Sequence, residues 1–274
     1  MKRFLLTLGL AAALAQAAVT GSDSDFDGVI DALDRCPGTS FELTVGADGC
    51  PETEAATAVS VLMGIGMAYA TGTYGGTETI DSLSTELSAT VYAGNFYASV
   101  LGAYYFSGAY DPTVAGSDQG GISDTFLGAG YMFALTENVY LTPGLYVKLA
   151  TAADGLGTGE NDYGASLQAL YRFEKSDIFA QYGYTVTGDS DTATYQDISY
   201  GSVGAGIYPT PNTYLSVSYD FSQPYDPALA DLESISLFGL FGLYDTLSLM
   251  LNYSYGLSDS ASKNFASLML LKRF

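Results

Sequence analysis

The sequence predicts an all-β chain: a transmembrane antiparallel up-and-down barrel, of about twelve strands, behind a small acidic N-terminal module. Three observations carry this expectation. The first is composition. The 274 residues include 23 Tyr, 14 Phe and 32 Gly, no Trp and no His, and only 14% are charged. Beyond the N-terminal segment there is no run of the ~18 apolar residues that a spanning helix needs. The second is a period-two alternation of polarity that recurs from residue 58 to residue 274, which is the sequence signature of barrel strands. The third is that the connections between these segments alternate between short and long.

The chain opens on "MKRFLLTLGLAAALAQA". Lys2 and Arg3 precede an apolar run from Phe4 to Ala15, and Ala15-Gln16-Ala17 is an A-x-A cleavage pattern. Residues 1–17 therefore read as a secretory signal peptide, which places the mature chain in an oxidising compartment.

Residues 18–57 form the second unit. Asp23, Asp25, Asp27, Asp31 and Asp34 surround Gly28 with the spacing D-x-D-x-D-G-x-x-D-x-x-D. Aligned with an EF-hand loop, the acids take positions 1, 3, 5, 9 and 12, Gly28 takes position 6, and the Val29 carbonyl takes position 7. Calcium is a hard ion that takes six to eight oxygens, and carboxylates at alternate positions wrap around it. Asp34 stands where an EF-hand has Glu, so the backbone must bring this shorter side chain closer.

"RCP" follows Asp34, and "GADGCP" comes after it. Over residues 23–51 the segment resembles a thrombospondin type-3 repeat, in particular the calcium-binding linker of OmpA-like outer-membrane proteins. The resemblance implies Ca2+ at Asp23, Asp25, Asp27, Val29, Asp31 and Asp34, and a disulfide between Cys36 and Cys50. In those proteins the repeat joins a barrel to a peptidoglycan-binding domain. Here it precedes the barrel, so cell-wall anchoring does not transfer.

The barrel unit covers residues 58–274. Its segments begin near Val59, Ser84, Phe96, Ile122, Val139, Asp162, Asp177, Ile198, Thr213, Leu232, Thr246 and Ser262. In "TLSLMLNYSYGL", Leu247, Leu249, Leu251, Tyr253, Tyr255 and Leu257 point one way, and Ser248, Met250, Asn252, Ser254 and Gly256 the other. Short connections lie at Gly94-Asn95, 136–138, 174–177, 209–212 and 244–246. Long ones lie near 74–83, 108–121, 153–161, 188–197, 222–231 and 258–261. This order puts both strand termini on the short-turn, periplasmic side and the long loops outside. Tyr69, Tyr104, Tyr131, Tyr171 and Tyr208, near strand ends, suit interfacial girdles. The terminal "FASLMLLKRF" resembles the last strand of outer-membrane proteins, whose final aromatic residue is read by the barrel assembly machinery. That role falls on Phe274.

Function follows from the faces. Glu86, Lys148, Gln168, Arg172 and Gln181 are expected to line a lumen. Glu78, Asp81, Asp111, Asp118, Asp154, Glu160, Asp189, Asp191, Asp226 and Asp231 make the outer loops acidic. The expected function is a narrow passive diffusion channel, porin-like and cation-preferring, for small ions or solutes. The alternative is a non-conducting barrel serving envelope integrity or adhesion, its lumen plugged by inward Tyr92, Tyr140 and Tyr146. An enzyme is not expected: without histidine there is no Ser-His or Asp-His pair. The net charge of -21 argues against nucleic acid as a partner. Outer-membrane lipid and lipopolysaccharide are the expected surroundings. The oligomeric state is left open.

Overall fold

The computed structural model describes residues 29, 34–36, 45, 49–50, 59–73, 76, 79–107, 120–153, 159–188, 195–210, 212–244 and 246–274. Residues 1–17, expected to be a signal peptide, and Asp23, Asp25, Asp27 and Asp31 lie outside the described residues.

Strand β1 is Val59–Gly72, β2 Ile80–Ala93 and β3 Phe96–Ser107. The fourth position in the wall, β4, is made of three pieces: Gly121–Ile122, Thr125–Tyr131 and Phe133–Thr136. Then come β5 Val139–Leu149, β6 Asp162–Arg172, β7 Ser176–Val186 and β8 Ile198–Thr210. The chain ends with β9 Thr213–Ser222, β10 Leu232–Tyr244, β11 Leu247–Gly256 and β12 Asn264–Arg273. Each strand pairs antiparallel with its sequence neighbours, and β1 pairs with β12, which closes a barrel of 12 strands. Closure removes the open edges that an unpaired strand would present in lipid.

The seam between β1 and β12 runs from Leu62↔Arg273 to Thr71↔Asn264. The last residue extends it: Phe274 N–H donates to the Val61 carbonyl at 2.9 Å, and Val61 N–H to the Phe274 carbonyl at 3.1 Å. Between β2 and β3 the two-residue turn needs a left-handed residue, and Gly94 supplies it with φ 60.

The two breaks in β4 have local causes. Ser123 N–H donates to the Ala103 carbonyl, and its Oγ accepts the Ala103 N–H, so one residue takes both ladder bonds where the first break falls. At the second, the register Gly130↔Gly144 and Phe133↔Leu141 places Pro143 beside the gap. Pro143 has no N–H to give. Met132 instead turns inward, and its backbone bonds to both the Asn95 carbonyl and the Asn95 side chain.

Side chains alternate as the period of two requires. Met63, Ile65, Met67, Leu145, Val203 and Leu237 stand exposed on the outer face. An apolar exterior of this extent would be untenable in water and is what lipid demands. Aromatic rings gather near both rims. Tyr131 and Phe133 are in contact at 4.7 Å near the short-turn end, as are Tyr171 and Phe173 at 4.8 Å. Tyr104 and Phe106 meet at 5.5 Å near the long-loop end. There Tyr69 O–H donates to Asp81 at 3.0 Å, and Tyr253 O–H to Asn264 at 2.9 Å. Such rings with a wet tip suit a membrane interface. Tyr208 departs from the expected girdle. It faces the interior and donates to Asp177 at 2.9 Å, because alternation along β8 sets it opposite to exposed Ile207. Asp81 belongs to the exposed end of β2 and not to a loop.

Candidate lumen site

All five sequence-selected residues face the barrel interior. Gln168 on β6 and Gln181 on β7 are direct cross-strand partners. Arg172, at the short-turn end of β6, is buried, with its guanidinium 5.4 Å from the Tyr140 ring centre. Lys148 on β5 is buried and reaches Asp162 Oδ2 at 2.5 Å and Asp124 Oδ2 at 3.6 Å. Glu86 on β2 stands apart from these, 1% exposed. Tyr92, Tyr140 and Tyr146 also point inward, as expected.

Several interior residues were not among those the sequence assigns to the lumen. Asp124, Asp162, Asp177 and Asp220 are all buried on the inner face. Alternation could have found three of them. Asp162 shares its parity with Gln168 and Arg172, Asp177 with Gln181, and Asp220 with Ser216 and Ser218. Each of these acids is held. Asp220 accepts from Ser218 at 3.0 Å and Ser236 at 2.5 Å. Asp177 accepts from both Tyr208 and Tyr214, the latter at 3.1 Å.

The long-loop end carries a second layer. Tyr225, between β9 and β10, is buried and donates to Asp162 Oδ2 at 3.1 Å, with Lys148 Nζ 5.4 Å from its ring centre. Burial pushes the Tyr225 phenol well above its ordinary pKa, with the Asp162 carboxylate adding to the effect, so the phenol stays a proton donor. Gly188 N–H donates to Asp162 Oδ1 at 3.0 Å, and Ala152 N–H to Asp124 Oδ1 at 3.0 Å. Two loop amides and one loop side chain therefore converge on one buried charge cluster.

Mid-barrel, hydroxyls gather. Tyr146 lies over Gly164 and Tyr200 over Gly183, where no side chain stands in the way. Tyr146 is hydrogen-bonded to Thr185, and its ring centre lies 6.3 Å from that of Tyr200. Nearer the short turns, two apolar clusters line opposite walls: Met132, Tyr140 and Leu170 on one, and Phe238, Leu240, Met250, Met269 and Leu271 on the other.

On the outer rim, Asp197 accepts from Tyr184 O–H at 2.6 Å and from Thr187 N–H at 3.1 Å. The Tyr184 hydrogen bond, then the Thr187 amide, hold its carboxyl below the ordinary value. A depressed carboxyl pKa means the clasp is fully formed above the ordinary carboxylate value and opens as pH falls through the depressed one. Asp197→Asn should therefore loosen the 188–197 loop at neutral pH, read as faster limited proteolysis there. Equal cleavage rates for the variant and the parent would show that the clasp does not hold the loop.

In the N-terminal module, Cys36 and Cys50 are joined by a disulfide, with Cα atoms 5.0 Å apart. Asp34 Oδ1 accepts the Cys36 N–H at 2.8 Å, which ties the last acid of the motif to the cross-link. Val29 is buried. Among the described residues there is no group of three or more His, Cys, Asp or Glu side chains that could hold a metal. The motif's donor set, five carboxylates and one carbonyl, has the hard-oxygen chemistry that calcium takes.

No protein-family model matches the chain. Solved structures do. An outer-membrane channel from Pseudomonas putida F1 superposes with a TM-score of 0.65 at 16% identity, covering 81% of this chain and 98% of that one. The fold is that of outer-membrane channels. The NanC porin matches with a TM-score of 0.55 at 11% identity, over 77% of this chain and 98% of its own. The KdgM porin gives 0.53 at 8% identity, over 77% and 99%. At these identities the likeness is one of architecture, so the lumen residues above must be read on their own chemistry.

Proposed function

We propose that the protein is an outer-membrane barrel forming a narrow passive diffusion channel that prefers cations, with a calcium-stabilised N-terminal module on the periplasmic side. The observation that carries this is the charge of the inner wall. Among the described residues, the buried inward-facing charges are Glu86, Asp124, Asp162, Asp177 and Asp220 against Lys148 and Arg172. A wall with this acidic excess favours cations over anions. The apolar exterior with its aromatic rims supports residence in a lipid bilayer, with lipopolysaccharide around the outer rim. The exposed Phe274 ring, at the β1–β12 seam, is suitably placed for the barrel assembly machinery.

A second reading has its own support. The apolar clusters near the short turns fill part of the interior. A barrel closed there would serve a structural or surface role without conducting.

Single-channel recording of the refolded protein in planar bilayers, under a KCl gradient, separates the two. Stable steps with a reversal potential toward that of K+ are expected. A folded barrel that never conducts would move the assignment to the structural reading. The module is tested by terbium luminescence of the full chain. Saturable binding that calcium displaces, weakened about tenfold or more in Asp25→Asn, is expected. Indifference to that substitution would remove calcium from the assignment.

A further inference from the structure

Among the described residues, Glu86 differs from every other buried acid in the wall. Asp124, Asp162, Asp177 and Asp220 each receive an amide, a hydroxyl or an ammonium group. Glu86 Oε1 is buried and has no hydrogen-bond partner. Two hydroxyls on β2 and β12 share that condition, Ser84 Oγ and Ser267 Oγ, in residues 1% and 7% exposed.

The register brings these oxygens to one patch. Ser84 on β2 and Ser267 on β12 are both cross-strand partners of Ala68 on β1. Glu86 is the partner of Gly66, the next inward position on β1. Between the two polar strands β1 thus offers a hydrogen and a methyl group. Nothing bulkier fits at Gly66, since a Cβ there would lie 2.5 Å from the Leu268 carbonyl and 2.9 Å from Met269 Cβ. The surroundings are apolar: Ala103 opposite Glu86, Met269 opposite Gly66, and the cluster of Ala68, Ala70, Leu101, Tyr105 and Phe265. The two buried cations among the described residues are engaged elsewhere, Lys148 by Asp162 and Arg172 against Tyr140.

A carboxylate withdrawn from water with no partner is costly, and either a proton or a cation relieves that cost. The donors select which cation. One carboxylate and two hydroxyls are hard oxygen ligands, which disfavours transition metals that seek imidazole or thiolate. A single negative charge is too little for calcium, whose sites collect several carboxylates. We propose that Glu86, Ser84 and Ser267 form a site on the lumen wall for a partly dehydrated alkali cation, and that cation preference is exerted there. The proposal rests on the channel reading for its role in selectivity, though not for the existence of the site.

The test compares parent, Glu86→Gln and the double variant Ser84→Ala/Ser267→Ala, each verified as folded by its strand circular dichroism. Reversal potentials in a KCl gradient should show the cation-to-anion permeability ratio falling about fivefold in Glu86→Gln. In mixed NaCl and KCl, the double variant should keep its cation preference but shift the Na+-to-K+ ratio about twofold. Conducting Glu86→Gln channels with an unchanged ratio would overturn the proposal and leave the channel reading standing. If the folded parent does not conduct, the channel reading falls, and sodium-23 line broadening by the protein in detergent decides the site. Broadening that disappears in Glu86→Gln upholds it, and its absence from the parent overturns it. Should Glu86→Gln not fold, Glu86→Asp replaces it. Withdrawing the carboxylate by one methylene should weaken the broadening, and unchanged broadening would overturn the site.

Discussion

Replacing Lys148 with methionine will destabilise the barrel by about 3–5 kcal/mol, the cost typical of removing one partner from a buried ion pair. The Lys148 ammonium is the positive charge shared by Asp162 and Asp124, and all three side chains are under a tenth exposed. Methionine keeps the apolar stem but leaves two carboxylates facing each other in a site that water does not reach. Their remaining donors, Tyr225 O–H and the Gly188 and Ala152 amides, are hydrogen bonds and not charges. The damage would not stay local, because the cluster joins β4, β5 and β6 to three stretches of loop. Denaturant unfolding in detergent micelles gives the number. Adding Asp162→Asn to Lys148→Met should recover part of the loss, since it removes one of the two stranded charges. If the two substitutions simply add, Lys148 and Asp162 are not energetically coupled.

How much of this was legible in the sequence depends on the range of the interaction concerned. Strand existence and facing are written locally, in a period of two. The starts at Val59, Phe96, Val139, Ile198, Thr213 and Leu232 agree with the strands found. So do the inward directions of Glu86, Lys148, Gln168, Arg172 and Gln181. Tyr208 was misread because its place near a strand end was weighed above its parity, although Val203 and Ile207 already fixed the outer face of β8. The breaks in β4 depend on Pro143 and Asn95 in neighbouring elements, so no reading of residues 121–136 alone could foresee them. The Lys148–Asp162–Tyr225 cluster is further out of reach. Asp162 and Tyr225 are 63 residues apart and meet only because the barrel closes and the loop folds inward. The small-residue floor at Gly66 and Ala68 becomes visible as part of a site only once the register sets Ser84 and Ser267 on either side of it.

Replacing Tyr225 with alanine should raise single-channel conductance about twofold, the largest functional change expected from one side chain at the mouth. Tyr225 belongs to the connection between β9 and β10, yet its hydroxyl binds Asp162 at the start of β6, three positions away around the wall. The ring therefore reaches inward over a quarter of the wall at the long-loop end. Backbone holds it in place. Gln196 N–H donates to the Tyr225 carbonyl at 3.0 Å, and Gln196 Nε2 to the Pro224 carbonyl at 2.6 Å. Gln223 N–H and Oε1 bond to the Ser199 carbonyl and amide at 2.9 Å each. Tyr195 adds an edge-to-face contact with ring centres 6.2 Å apart. The Gln196 and Gln223 hydrogen bonds survive truncation at Tyr225, although the Tyr195 ring contact does not, so alanine removes the obstruction while the loop stays tied. Phenylalanine makes the complementary change. It keeps the ring across the mouth and deletes the hydrogen bond to a carboxylate, at about 1.5–3 kcal/mol of stability. The two variants should therefore separate, Tyr225→Ala altering conductance and Tyr225→Phe altering stability with conductance near that of the parent. Parental conductance in Tyr225→Ala would mean that the ring lies outside the conducting path. The narrow point would then have to be sought deeper, between the apolar clusters near the short turns.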